Sequence, residues 1–328
     1  MSVLIIGYGS IGKRHTNNLL GMNGIQISVC TKNSDIQKLK GKNIQVFQTV
    51  QEATKKKFDV VVICNETRFH VPTAIKFANK GCHIFFEKPI SDSLKDISKL
   101  RSIIKQKKLI TMIGCNMRFQ KGIEIVKKII EKETIGRIFS VSVENGSYMP
   151  DWHPWEDYRK SYASNKKLGG GVVLTQIHEF DYLFWFFGKV KEVFSVNGKL
   201  SNLEIDVEDF STSILKFDKK IIAKVHLDYF QRPSSRACKI IGTKGQIRWN
   251  WENDHVQIFN YKTKKWITKN FTQEIDINQM YVKEISYFFQ CIKQKEKPMN
   301  SIDEALKIHN IALAIKESSQ KKVIVRVD

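Results

Sequence analysis

A short apolar strand that runs into Gly7-Tyr8-Gly9-Ser10-Ile11-Gly12, and from there into a helical pattern, leaves this chain few ways to begin folding. In that context each glycine has its own task. Gly7 permits a tight turn, Gly9 lets the backbone approach a pyrophosphate, and Gly12 lets the helix pack on the strand. The unpaired N–H groups where the helix starts, at Ser10 and Ile11, then face phosphate oxygens. As far as Arg118, β-branched runs alternate with amphipathic stretches, which predicts β-α-β units and a parallel sheet. The expected strands are Ser2–Ile6, Ile25–Cys30, Val60–Cys64, His83–Phe86 and Ile110–Gly114. Stretches such as Ile11–Leu20 and Pro72–Lys80 repeat apolar residues at helical spacing. Right-handed crossovers place helices on both faces, a doubly wound α/β domain.

After Phe119 the rhythm changes. A helix over Ile123–Lys132 and then Gly136 precede strands at Arg137–Ser147, Glu192–Asn197, Phe210–Phe217, Ile221–Tyr229, Ala237–Gly242 and Gly245–Asn250. Strands in succession joined by tight turns, Asp218-Lys219-Lys220 and Gly242-Thr243-Lys244-Gly245, predict a mostly antiparallel sheet in an α+β domain. Helices over Gln279–Lys293 and Ser301–Ser318 close the chain, with Ser301 and Glu304 spaced as a capping box. A length of 328 residues exceeds the ~250 at which single cores stop growing, so two domains are expected. With no internal repeat or low-complexity linker, the change of rhythm divides them into 1–118 and 119–328.

Fifty-four Lys and Arg against 33 Asp and Glu give a formal charge of +21, which raises a nucleic-acid reading. The pattern argues against it. Lysines lie in small groups such as Lys55-Lys56-Lys57 and Lys105-Gln106-Lys107-Lys108, with little Arg and no interleaved aromatic residues. They read as solvated faces, and the charge can still steer an anionic substrate. Cys30, Cys64, Cys82, Cys115, Cys238 and Cys291 are far apart and mostly inside apolar runs, so they read as small buried hydrophobes. The first residues lack the pattern of a signal peptide and no stretch is long enough to span a bilayer, which makes a reducing cytoplasm the expected location.

Where an NAD-binding strand–turn normally ends in an acidic residue, about 20 residues past the glycines, this chain has Cys30-Thr31-Lys32-Asn33. Thr31 and Lys32 could instead meet a 2′-phosphate, so the cofactor is expected to be NAD or NADP, with the balance toward NADP. In the alternative, Lys32 faces solvent and Asp35 or a backbone group holds the ribose.

Glu87-Lys88-Pro89 follows the strand His83–Phe86, at the carboxyl edge where open α/β sheets bind ligands. Asn65-Glu66-Thr67-Arg68-Phe69-His70 follows Val60–Cys64, and Asn116-Met117-Arg118-Phe119 stands at the domain crossover. With the glycine fingerprint these segments resemble the glucose–fructose oxidoreductase/inositol dehydrogenase (Gfo/Idh/MocA) family. The likeness continues through Gly169-Gly170-Gly171, His178-Glu179-Phe180-Asp181 and Gly188. It spans essentially the whole chain, and the combination is specific although no single piece is.

The resemblance implies that Asn65, Thr67, His70, Glu87 and Lys88 border the cofactor, that Lys88 lies by nicotinamide and substrate, and that His178 is the histidine of a D-x-x-x-H acid/base motif. The chain departs from that motif: Leu174 occupies the Asp position, followed by Thr175 and Gln176. Chemically, His178, with an ordinary pKa of about 6.5, suits removal of a hydroxyl proton, while Lys88 polarises the oxygen. Asp181, one turn on, would orient the imidazole or cap the helix. Asn116, Arg118, Gln176 and Asp181 are the expected substrate contacts, joined by Tyr148, Asp151 and Tyr158 of the aromatic, polar loop Tyr148–Arg159. That loop binds a sugar ring or packs as a lid over the crevice or against a partner subunit.

Members with such a loop resemble oxidoreductases of bacterial surface-glycan or nonulosonate biosynthesis. The implied reaction moves a hydride between nicotinamide and a hydroxyl or keto carbon of a sugar, sugar acid or sugar nucleotide. A homodimer or homotetramer is implied as well. The sequence has no H-x-x-x-H, H-E-x-x-H or Cys/His cluster, so no metal is expected. The missing Asp keeps open a non-catalytic nucleotide- and sugar-binding regulator of the same fold.

Overall fold

The computed structural model describes residues 1–32, 44–253, 255–271 and 277–327. The chain divides into two compact units, one of Met1–Asn116 with Asp276–Leu306, the other of Met117–Ile275 with Lys307–Asp328.

In the first unit, β1 (Ser2–Ile6), β2 (Gln26–Cys30), β3 (Gln45–Phe47), β4 (Val60–Ile63), β5 (His83–Glu87) and β6 (Thr111–Gly114) form a parallel sheet in the order β3-β2-β1-β4-β5-β6. The central strands are buried along their length, as a sheet covered on both faces requires; Val3, Leu4, Ile5 and Val60 to Ile63 have no accessible surface. Helices α1 (Ser10–Leu20), α2 (Val50–Ala53), α3 (His70–Ala78) and α4 (Ile97–Gln106) connect them. In α4 the buried residues Ile97, Leu100 and Ile104 recur at spacings of three and four, a stripe that packs inward. The short strand β3 was not anticipated. Of its three residues only Phe47 is buried, too little alternation to register in sequence.

The sequence divides the chain after residue 118, whereas the first compact unit runs to Asn116 and also takes in Asp276–Leu306 of the closing segment. Helix α8 (Asn278–Gln294) joins the first unit, not the second. The Asn278 amide exchanges hydrogen bonds with Asn18 at 2.7 and 3.2 Å, and Phe288 meets Phe85 edge-on at 5.6 Å. Asn300 then extends β6: its carbonyl accepts from the Ile113 N–H at 2.9 Å and its side-chain amide donates to the Ile113 carbonyl at 2.9 Å. These partners are 187 residues apart, beyond the reach of local periodicity. The capping box also differs. The Glu304 N–H bonds to the Ser301 carbonyl, and Ser301 Oγ is buried without a hydrogen-bond partner.

In the second unit, β7 (Ile138–Gly146), β8 (Val190–Gly198), β9 (Phe210–Phe217), β10 (Ile222–Asp228), β11 (Ser235–Gly242), β12 (Gly245–Asn250), β13 (His255–Asn260), β14 (Lys265–Asn270) and β15 (Val325–Arg326) make a sheet ordered β14-β13-β12-β11-β7-β10-β9-β8-β15. Pairing is antiparallel except between β7 and β10, which run parallel from Ile222↔Ser140 to Asp228↔Gly146. One face, with Val141, Val143, Leu215, Ala223, Val225 and Leu227, packs into a core with α5 (Lys121–Glu131), α6 (Val172–Thr175), α7 (His178–Phe187) and the later part of α9 (Ile302–Lys321). Strands β13 and β14 were not anticipated, and every residue of β14 is exposed, which erases the alternation that marks a half-buried strand.

The parallel pair positions the site, because Gly146 and Asp228 end their strands side by side. A Cβ on Gly146 would stand 2.3 Å from both the Asp228 carboxylate and the Gln231 amide oxygen, so any larger residue would displace those side chains.

Candidate active site

In the glycine turn of the first unit, Gly7 and Gly12 sit where a side chain would collide with backbone. Gly7 has φ +92°, and a Cβ there would lie 2.7 Å from the Cys64 carbonyl oxygen and the Asn65 nitrogen. A Cβ on Gly12 would meet the Gly7 carbonyl oxygen at 2.1 Å. Gly9 is different: it is exposed and nothing lies within 4 Å of where its Cβ would be. It is the N-cap of α1, with no side chain capping the helix and no acidic residue in the first turn. The N–H groups at Ser10 and Ile11 therefore start a helix with a positive end and an open approach, which fits a pyrophosphate. Beyond β2, Thr31 is buried, with its N–H on the Phe47 carbonyl at 2.9 Å, and Lys32 is exposed. Asn33 and Asp35 lie outside the described residues.

At the carboxyl edge of β4 and β5 two buried histidines grip the loops. His15 of α1 places Nε2 2.6 Å from Glu87 Oε1, and the other carboxylate oxygen accepts the Lys88 N–H at 3.2 Å. His70 of α3 stands 2.8 Å from the carbonyls of both Pro89 and Asn65. Burial pushes the His70 pKa down, which favours the neutral ring. Glu87 and His70, expected at the cofactor, thus direct their side chains at protein partners and act by shaping the loops. Thr67 is buried as well. Asn65 Oδ1 is buried without a hydrogen-bond partner, an acceptor left for a ligand. Lys88 is half-buried.

In the second unit His178 opens α7, half-buried, and Leu174 is 1% exposed in the core, so no carboxylate occupies the Asp position of the motif. Gln176 donates from Nε2 to the Asp228 carbonyl at 3.1 Å, while its Oε1 is buried and unpartnered. Glu179 is fully buried and accepts from Arg236 Nε at 2.7 Å. Tyr148 lies under the Arg232 guanidinium, 3.7 Å from ring centre to Cζ, and Arg232 pairs bidentately with Asp151 at 2.8 Å for both bonds. Tyr158 stands apart from this group, its hydroxyl accepting the Glu204 N–H at 3.2 Å.

Arg118 and Asp181, both expected to touch substrate, are instead committed to each other. Arg118 Nε and Nη2 donate to the two Asp181 oxygens at 2.9 and 2.8 Å, with side chains 1% and 0% exposed. Both Asp181 oxygens thus accept from Arg118. Replacing Arg118 with alanine should destabilise the protein by about 3–5 kcal/mol, because a buried charge is left uncompensated. Replacing both by leucine should cost far less, a contrast that denaturant titration of the two variants reads directly. Asn116 is 7% exposed at the end of the first unit.

Sequence reasoning missed His15, Arg232, Arg236 and Asp228. His15 had a signal, three residues beyond Gly12 on an otherwise polar stretch of α1. The others come together only through the pairing of β7, β10 and β11. Among the described residues no group of three or more His, Cys, Asp or Glu side chains is arranged for a metal ion, all six cysteines are buried and none forms a disulfide, and no helix is long and apolar enough to cross a membrane.

The family model described as "Oxidoreductase family, NAD-binding Rossmann fold" matches residues 1–115, and its companion "Oxidoreductase family, C-terminal alpha/beta domain" matches residues 127–327. The chain belongs to the Gfo/Idh/MocA family. Its Gfo/Idh/MocA relatives include myo-inositol 2-dehydrogenase of Thermotoga maritima, 24% identical over 100% of this chain and 99% of that protein. The scyllo-inositol 2-dehydrogenase (NAD(+)) of Bacillus subtilis is 24% identical over 99% and 95%. Among solved Gfo/Idh/MocA structures, levoglucosan dehydrogenase in complex with NADH superposes with a TM-score of 0.89 at 20% identity, covering 100% of this chain and 99% of that one. That likeness shows the shared fold.

Proposed function

We propose that the protein is an NAD(P)-dependent dehydrogenase or reductase that interconverts a hydroxyl and a keto carbon on a sugar, sugar acid or sugar nucleotide. The observation that carries this reading is the open glycine cradle at the start of α1, on the same sheet edge as Lys88. Gly7, Gly9 and Gly12 with the Ser10 and Ile11 N–H groups would hold the pyrophosphate, and Asn65 Oδ1 would accept from the remainder of the dinucleotide. The bound nicotinamide supplies the hydride acceptor or donor.

The chain's own residues handle the proton and the charge. His178 takes the hydroxyl proton as general base. Lys88 donates to a substrate oxygen and stabilises negative charge that develops on it. Gln176 Oε1 accepts from a neighbouring substrate hydroxyl. The Tyr148–Arg232–Asp151 stack presents a flat, charge-paired surface that carries hydrogen-bond donors and acceptors together, chemistry that suits a hydroxylated sugar ring. The names of the inositol and levoglucosan dehydrogenases support polyol and sugar substrates. Oxidation of myo-inositol, levoglucosan and hexuronic acids, followed by nicotinamide absorbance, tests the substrate class, and turnover on simple alcohols alone would count against it.

Thr31 and Lys32 support a preference for NADP over NAD. Loss of one charge-assisted contact to a 2′-phosphate corresponds to about 1.5–3 kcal/mol, so Lys32→Ala should weaken NADPH at least ~10-fold and leave NADH unchanged. Equal effects on both dinucleotides in a fluorescence titration would remove Lys32 from the cofactor site.

A further inference from the structure

We propose that His15 is a positioning residue for Lys88: it holds the Glu87 carboxylate, which in turn holds the backbone from which Lys88 projects. The inference rests on the reading of Lys88 as the group that polarises the substrate oxygen.

A lysine side chain has four rotatable bonds, so its reach depends on how firmly its Cα and the space around it are fixed. Glu87 does the first. Its Oε2 accepts the Lys88 N–H at 3.2 Å, while its Oε1 is 2.6 Å from His15 Nε2. One carboxylate thereby bridges α1 and the residue after β5. The carboxylate has little freedom to turn elsewhere. Glu87 is 7% exposed, and Gly114 on the neighbouring strand backs it so closely that a Cβ there would lie 3.3 Å from Oε1.

His15 is equally confined. It has no accessible surface, the Phe85 ring meets it edge-on at 5.3 Å, and Tyr281 lies at 6.2 Å. Its Nδ1 is buried without a hydrogen-bond partner. A ring carrying its proton on Nε2 leaves only a lone pair unpaired there, whereas a second N–H at Nδ1 would be a buried, unsatisfied donor. The one useful N–H of His15 thus points at Glu87. A side chain needed only to fill this space would be apolar; a buried donor aimed at a buried acceptor specifies direction as well as volume. The consequence is functional because α1 also starts with the phosphate cradle. The His15–Glu87 bond ties the helix whose N-terminus faces the pyrophosphate to the residue next to Lys88, and so sets Lys88 in register with the cofactor.

The test uses the full-length protein with NADH and needs no substrate. Acetic anhydride labelling, resolved by residue with mass spectrometry, gives the rate at Lys88 relative to Lys13 and Lys76 of the same unit. His15→Phe keeps a planar ring and removes the donor; His15→Gln places an amide N–H where Nε2 was. The expected result is Lys88 labelling at least ~10-fold faster in His15→Phe, with Lys13 and Lys76 unchanged, and a return to the wild-type rate in His15→Gln; ~10-fold is the factor for one lost charge-assisted hydrogen bond. If His15→Phe does not fold, His15→Asn, whose amide stops short of Glu87, is read against His15→Gln in its place. An unchanged Lys88 rate in the donor-free variant, or a change shared by all three lysines and not reversed by glutamine, overturns the proposal. Full turnover in Lys88→Ala would sink the catalytic reading of Lys88 while leaving this labelling result intact, so the two failures are distinguishable.

Discussion

Gly9→Asp abolishes measurable binding of NADH and NADPH while the protein stays folded, with a melting temperature equal to or above that of the wild type. Both halves of this expectation come from the geometry at one residue. Gly9 has φ −76° and ψ −165°, extended backbone open to any residue, and its Cβ direction is empty space. It is also the N-cap of α1, a position where aspartate is among the best residues and exceeds glycine by roughly a few tenths of a kcal/mol. The same carboxylate would stand where a pyrophosphate must approach, blocking it and repelling it, and would take up the N–H groups meant for phosphate. A loss of at least ~100-fold in affinity is expected from the two effects together. The neighbouring glycines behave differently. Gly12→Ala would drive a methyl to 2.1 Å from the Gly7 carbonyl oxygen, so it should damage the fold along with binding. Calorimetric titration and thermal melting of the two variants separate a binding glycine from a packing glycine. Unchanged cofactor affinity in a folded Gly9→Asp protein would mean that the cradle serves something else.

Turnover falls by about 10²–10⁴ in His178→Ala and by a similar factor in Lys88→Ala, the range usual for removing a general base or an electrostatic stabiliser. NADH affinity in His178→Ala should stay close to that of the wild type, because His178 belongs to the second unit and is assigned no cofactor contact. His178 is half-buried at the first position of α7, where alanine costs the helix little, so a loss of activity would not be a loss of fold. The kcat of both variants against whichever polyol or sugar the wild type oxidises fastest is the relevant quantity. Full kcat in both, with the true substrate, would remove them from the chemistry and favour the regulatory alternative that Leu174 raises.

The parts of the molecule legible in sequence are those whose signal is local. The tight turn at Gly7 and the close packing at Gly12 were legible in their spacing, and the central strands of the first unit stand out because burial on both faces makes them continuous apolar runs. Strands β9 and β12 fell where their bounding turns put them, at Phe210–Phe217 and Gly245–Asn250. What escaped was set by tertiary partners. Nothing near Asn300 announces that it will pair with Ile113, and nothing near Asp181 announces that Arg118 will take both of its oxygens. Charged residues inside a family motif invite a reading as ligand contacts, yet two charges that meet in a dry interior satisfy each other first, since an unpaired one is costly. The Tyr148–Arg232 stack was half visible. The aromatic loop marked Tyr148 and Asp151, while Arg232 arrives from 81 residues beyond Asp151, through the parallel pairing of β7 with β10.

The measurement that tests the central claim most directly is a fluorescence titration of folded, cofactor-free protein with NADH and with NADPH. Saturable one-to-one binding of at least one of them, tighter for NADPH and lost in Gly9→Asp, is the predicted result. Binding of neither would contradict the dehydrogenase reading.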